Sequence, residues 1–160
     1  MTIHSTRRVS PEEDARHILE ECRAMAVGVQ ALTGFLLLSV LTPALYDRLG
    51  ESLRFLHLSG LVLVIVSMFL LLTPAAIHRL GEPGLATERF LDSASQLIGW
   101  ALAALRLGVV VEVYTAARAV GASASAATGL AGFLFMLSWT LWSVYPRVSA
   151  MRLAPHPGSD

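Results

Sequence analysis

Leu61-Val62-Leu63-Val64-Ile65-Val66 is the run on which the fold turns. Six aliphatic residues in succession leave no polar face for water, unlike the one-sided apolar stripe of a helix on a soluble protein. The run lies inside an apolar stretch over residues 55–77. That is about the 20 residues a helix needs to cross a bilayer. Pro74 is expected to end or kink this span, and Gly81, Pro83 and Gly84 to form the connection after it.

Three more stretches of the same kind flank it, over residues 24–45, 93–117 and 124–145, the first ending near Pro43 and the last at Pro146. The composition agrees with this reading. The 160 residues are 54% hydrophobic and 15% charged, with a mean hydropathy of +0.61. Soluble domains run at roughly 45–50% apolar and about 25% charged. A charge-rich disordered chain and an ordinary water-soluble enzyme are both excluded. The expected fold is all-α, a polytopic membrane protein built as a four-transmembrane-helix bundle over residues 24–146.

An amphipathic helix is expected to lead into the first span, over residues 10–23. Ser10-Pro11-Glu12-Glu13 has the form of a capping box, with Ser at the N-cap and Pro at the first helical position. Glu12 with Arg16, and Arg16 with Glu20, are four apart and can pair along one face. Ile18, Leu19, Cys22 and Met25 supply an apolar stripe. Acidic residues precede the apolar run and no cleavage site follows, so this is not a signal peptide. Residues 1–9 are expected to be a disordered tail and residues 147–160 a cytosolic one.

Twelve acidic residues balance twelve basic ones, all of them Arg. With no net charge and no basic stripe, nucleic acid is not expected as a partner. The single cysteine, Cys22, rules out an intramolecular disulfide and a cysteine-rich metal site. Orientation follows from the distribution of Arg. With the N-terminus inside, eight fall on the cytoplasmic side (Arg7, Arg8, Arg16, Arg23, Arg79, Arg89, Arg147, Arg152) and three outside (Arg48, Arg54, Arg118). Both termini are therefore expected in the cytoplasm, and an antiparallel dual-topology dimer is disfavoured. Trp139, Trp142 and Tyr145 would anchor the inner interface, Tyr46 and Tyr114 the outer one.

The third span carries two intramembrane charges, Arg106 near its midpoint and Glu112 six residues further on. Six residues correspond to about 9 Å of rise and leave the side chains about 120° apart, so they are poorly placed to pair within one helix. Ionisable groups at such depth cost at least about 2.5–3.5 kcal/mol and face protein or water. One reading makes them glue between helices. The other makes Glu112 a protonatable or cation-binding site and Arg106 its electrostatic partner, which requires that Arg106 not neutralise it directly. Asp92, Gln96, Gly99, Ala103 and Arg106 share one face of this span. Arg23, Gln30 and Gly34 form a matching stripe on the first, and the two faces are expected to pack together. Glu20, Gln30, Asp92 and Gln96 would then line a polar approach from the cytosol, with a dry amide pair as the alternative. Ser125 and Gly129 form a small-residue packing face on the fourth span, while the aliphatic second span is expected to be the most lipid-exposed.

His57 and His78 stand at opposite ends of the second span, about 31 Å apart, and cannot ligate one metal or haem within a single chain. They read as interfacial residues, with His78 and Arg79 able to meet His17 or an anionic lipid headgroup. Hydrolase and nucleotide-binding motifs are missing from the sequence, so an enzyme is not expected, nor a metal or other cofactor.

The segments Leu19-Glu20-Glu21-Cys22-Arg23, Gly28-Val29-Gln30-Ala31-Leu32-Thr33-Gly34-Phe35, Phe55-Leu56-His57-Leu58 and Thr73-Pro74-Ala75-Ala76-Ile77-His78-Arg79 resemble a family of small, uncharacterised bacterial four-helix membrane proteins. Some members carry an automatic label of sodium/proton antiporter. The resemblance covers residues 15–147 and implies a bacterial inner-membrane location, with transport as an analogy. A 17 kDa chain has little room for a substrate pathway, so a homo-oligomer is expected, a parallel dimer first. The function expected is a small ion or proton transporter or channel using Glu112 and Arg106. The alternative is a non-transporting scaffold or accessory subunit of a larger membrane complex.

Overall fold

The computed structural model describes residues 11–43, 47–80 and 88–153, and these are almost entirely helical, with no strand among the described residues. Helix α1 spans Pro11–Val40, α2 Glu51–Leu80, α3 Glu88–Ala119 and α4 Ala124–Trp139. A π-helical turn, Thr140–Val144, joins α4 to α5, Tyr145–Leu153. Among the described residues, four stretches are long and apolar enough to cross a membrane: Glu12–Val40, Glu51–Leu80, Glu88–Ala119 and Ala124–Ser149. The leading helix and the first span are one continuous α1. Ser10, Tyr46, the connection through Gly81, Pro83 and Gly84, and the first tail lie outside the described residues.

Neither proline stops its helix. Pro74 is buried within α2, which runs on to Leu80. Pro146 follows the π turn, where the Tyr145 N–H donates to the Thr140 carbonyl, five residues back. Proline has no N–H to give. The widened turn just ahead of Pro146 takes up the disturbance and the helix continues, so residues 147–153, expected as tail, are helical. The α3–α4 turn is closed by its own chemistry. Gly121, at φ +91°, ends α3, with Gly121 N–H donating to the Arg118 carbonyl and Ala122 N–H to that of Ala117. This is the Schellman pattern, which favours glycine at the left-handed position. Arg118 donates to the Ala122 carbonyl, and the Ser123 hydroxyl caps α4 by accepting from Ala126 N–H.

The chain divides into two compact units. The first holds α1 up to Leu38 together with Leu63–Leu105. Its core is Val29, Val64, Leu71 and Ala101, enclosed by Met25, Leu32, Leu36, Met68, Leu70 and Leu105. A smaller cluster joins Ala15 to Phe90 and Ala94. On α1 the buried stripe is Cys22, Ala26, Val29 and Thr33, at spacings of four, three and four. The second unit holds Ser39–Val62 and the chain from Arg106 onward. It buries Leu49, His57, Leu61, Arg106, Thr115, Ala127 and Ala131. Buried threonines satisfy themselves within their helices: Thr33 Oγ1 donates to the Val29 carbonyl and Thr115 Oγ1 to that of Val111, each at 2.8 Å.

Two packing expectations are corrected. The stripe of Arg23, Gln30 and Gly34 and that of Asp92, Gln96 and Gly99 are exposed, and a Cβ on Gly34 or Gly99 would meet nothing within 4 Å. The α1 residues that do pack are Cys22, Ala26, Val29 and Thr33, with Met25, Leu32 and Leu36 beside them. The aliphatic α2 is the most buried span, with 33% of its apolar window buried against 17%, 17% and 11% for the others. Lipid tails are as apolar as leucine, so an all-aliphatic helix suits a protein interior and a lipid surface equally.

Candidate functional site

The second unit gathers an ionisable pair from two helices. Glu112 on α3 reaches His57 on α2, with Oε2 2.7 Å from the imidazole Nδ1. Both side chains are largely withdrawn from solvent, at 7% exposure for His57 and 11% for Glu112. The bridging proton belongs to the nitrogen when the carboxylate is charged, and to the oxygen when the carboxyl is neutral. On the other side of the ring, Nε2 lies 2.9 Å from the Ser39 hydroxyl of α1. Three helices thus contribute one residue each to a hydrogen-bonded row, Ser39–His57–Glu112.

Gly60 makes the approach possible. It is one turn beyond His57 on α2, and a Cβ there would lie 3.0 Å from Glu112 Cδ and 3.0 Å from Val111 Cγ1, and closer still to Oε1. A larger residue there would force the Glu112 carboxyl and the Val111 side chain to shift. Glu112 Oε1 itself is buried with no hydrogen-bond partner among the described residues. The carboxyl therefore retains an acceptor position beyond the one that His57 uses.

Arg106 is placed differently. Its Nη2–H donates to the Ser143 hydroxyl at 2.9 Å, and its guanidinium carbon lies 5.0 Å from the Trp139 ring centroid and 5.9 Å from that of Trp142. These three partners come from the end of α4 and the π turn, which carries both Trp142 and Ser143. The residue is 6% exposed, and its Nε has no hydrogen-bond partner among the described residues. The aromatic faces supply cation–π attraction in place of a carboxylate. No ion pair joins Arg106 to Glu112 among the described residues, as their 120° separation on α3 suggests.

The other expected site residues do not gather around this row. Gln30 lines a cleft between α1 and α2, whereas Glu20, Asp92 and Gln96 are exposed. The cytosolic approach expected from those four is not assembled. The residue that sequence reasoning missed is His57, together with its neighbours Ser39 and Gly60. A signal was present: His57 is six residues into α2 and Glu112 seven before the end of α3, which sets both about 9–10 Å in from the ends that share this unit. No group of three or more His, Cys, Asp or Glu side chains is placed to hold a metal among the described residues.

Over residues 7–146 the chain matches DUF6328, a family of unknown function, and it belongs to that family. Neither a curated protein nor a solved structure matches the chain. The resemblance thus stands as membership of a family of unknown function, in a chain with four membrane-length helices among its described residues.

Proposed function

We propose that this protein is a small oligomeric transporter of protons or other ions, in which Glu112 and His57 form the binding pair. The observation that carries the reading is the 2.7 Å contact between two buried ionisable side chains on helices long enough to cross a membrane. Ionisable groups inside membrane spans are costly and mark proton relays and ion paths. An imidazole–carboxyl pair can hold its shared proton on either atom, and the Ser39 hydroxyl extends the row to α1. Arg106 adds a fixed positive charge that leaves the carboxylate un-neutralised, because its own hydrogen bond goes to Ser143.

The placement that accompanies this reading has both termini in the cytoplasm of a bacterial cell, following the eight-to-three distribution of Arg. Ser39, His57 and Glu112 then lie in the outer half of the membrane, and the functional unit is a parallel dimer. The test is proton and cation flux in liposomes, with oligomer size checked for each variant. Wild type is expected to conduct, Glu112→Gln and His57→Gln to lose flux while the oligomer survives, and Arg106→Met to retain part of it. Absence of flux in the wild type under every gradient would refute the reading.

A non-transporting scaffold is the second reading, and one observation favours it. A Cβ on Gly28, Gly34, Gly99, Gly129 or Gly132 would meet nothing within 4 Å. Open small-residue faces let a helix of another chain approach closely. On that reading Glu112→Gln lowers stability, and there is no flux to lose.

A further inference from the structure

We infer that the cleft between α1 and α2 in the first unit is a binding site for an anionic phospholipid, an inference independent of the transport reading. Its volume is about 570 Å³. Pockets for small organic ligands run to roughly 300–1,000 Å³. The lining is ordered along the helices. Arg23 of α1 and His78 and Arg79 of α2 line one end, while Gln30 and Val27 of α1 and Leu71 of α2 line the other. The two ends are separated by about 10 Å along α1, from Arg23 to Gln30, and about 12 Å along α2, from Arg79 to Leu71. A ligand lying in this cleft meets cations first and an apolar wall next, which is the order of groups in a phospholipid entering a bilayer.

The charge is one-sided. Among the described residues no acidic side chain lines the cleft, and Glu20 and Glu21, which precede Arg23 on α1, are not part of its lining. Neither Arg23 nor Arg79 makes an ion pair among the described residues. The His78 ring is held against Phe90, centroids 5.6 Å apart, which keeps it at the charged end. Arg79 is next to the last residue of α2, where the helix dipole already favours a cation and where headgroups lie. Guanidinium groups match phosphate oxygens in a bidentate fork. The assigned pose puts the headgroup phosphate between Arg23 and Arg79, and the upper part of one acyl chain along Val27 and Leu71.

The test is native mass spectrometry of the full chain released from micelles doped with phosphatidylglycerol, phosphatidylcholine or oleate. Wild type is expected to retain phosphatidylglycerol at least tenfold more than either of the others. Arg23→Ala with Arg79→Ala should remove that preference. Val27→Trp, which keeps the charges and fills the apolar end, should lower retention several-fold. Arg16→Ala, outside the cleft, should leave it unchanged. Both arginines are exposed, so the double variant is expected to fold, and its oligomer size and helicity check this. Equal retention of phosphatidylglycerol and phosphatidylcholine, oleate held as firmly as phosphatidylglycerol, or retention indifferent to the double variant would each overturn the assignment.

Discussion

Glu112 and Arg106 stand on the same helix, six residues apart, and the protein treats them in opposite ways. Glu112 is matched to a second ionisable group, His57, across a contact that Gly60 keeps short. Arg106 is matched to a hydroxyl and two indole faces, with no acid beside it among the described residues. A guanidinium stays charged at any physiological pH, so aromatic faces and one acceptor serve it. A carboxyl next to an imidazole can lose or gain its proton. Holding the two charges apart leaves Glu112 free of a permanent counter-charge, and that separation is what makes it a candidate for exchange.

The largest effect is expected at His57. His57→Ala leaves Glu112 buried without its partner and should cost about 3 kcal/mol in a denaturant titration in lipid or detergent. Adding Glu112→Gln to that variant should recover part of the loss. Next comes Gly60→Ala. The added methyl lies against the Glu112 carboxyl and Val111, and overpacking of this kind costs about 1–3 kcal/mol. Its helix propensity gain of about 1 kcal/mol offsets only part of that. Arg106→Met removes a buried cation that has no ion-pair partner and keeps the apolar volume, so its effect should stay within about 1 kcal/mol. A loss as large as that of His57→Ala would mean that both charges are structural. Smallest of all, Gly129→Ala meets open space and should change stability by no more than about 0.5 kcal/mol. If the same variant instead dissociates the oligomer on a sizing column, that face lies in an interface between chains.

The four membrane-length helices were legible because apolar length is a property of the sequence alone. Their ends were less so. The second span, read as residues 55–77, puts His57 at its edge and makes it an interfacial histidine. The helix in fact begins at Glu51, because Leu53 and Arg54 already donate to the Gly50 carbonyl, and this sets His57 nearly two turns inside. That shift of four residues hid the partner of Glu112. Glu112 itself could be singled out, since a carboxylate in an apolar run must be accounted for locally. Its partner sits 55 positions away in sequence, and only the register between helices brings it near. Pro146 misled for a related reason: its missing donor implied a stop, whereas a π turn absorbs the defect. Hydropathy is silent on which face meets lipid and which meets protein, so an all-aliphatic α2 points to lipid although it is the most buried span.

Proton exchange by the His57–Glu112 pair is read directly by the infrared spectrum of the protein in lipid. As pH is stepped, a carboxyl C=O stretching band should appear and disappear reversibly, shift in His57→Gln and be missing in Glu112→Gln. An unchanged carboxyl spectrum across the stable pH range, or a band that persists in Glu112→Gln, would contradict it.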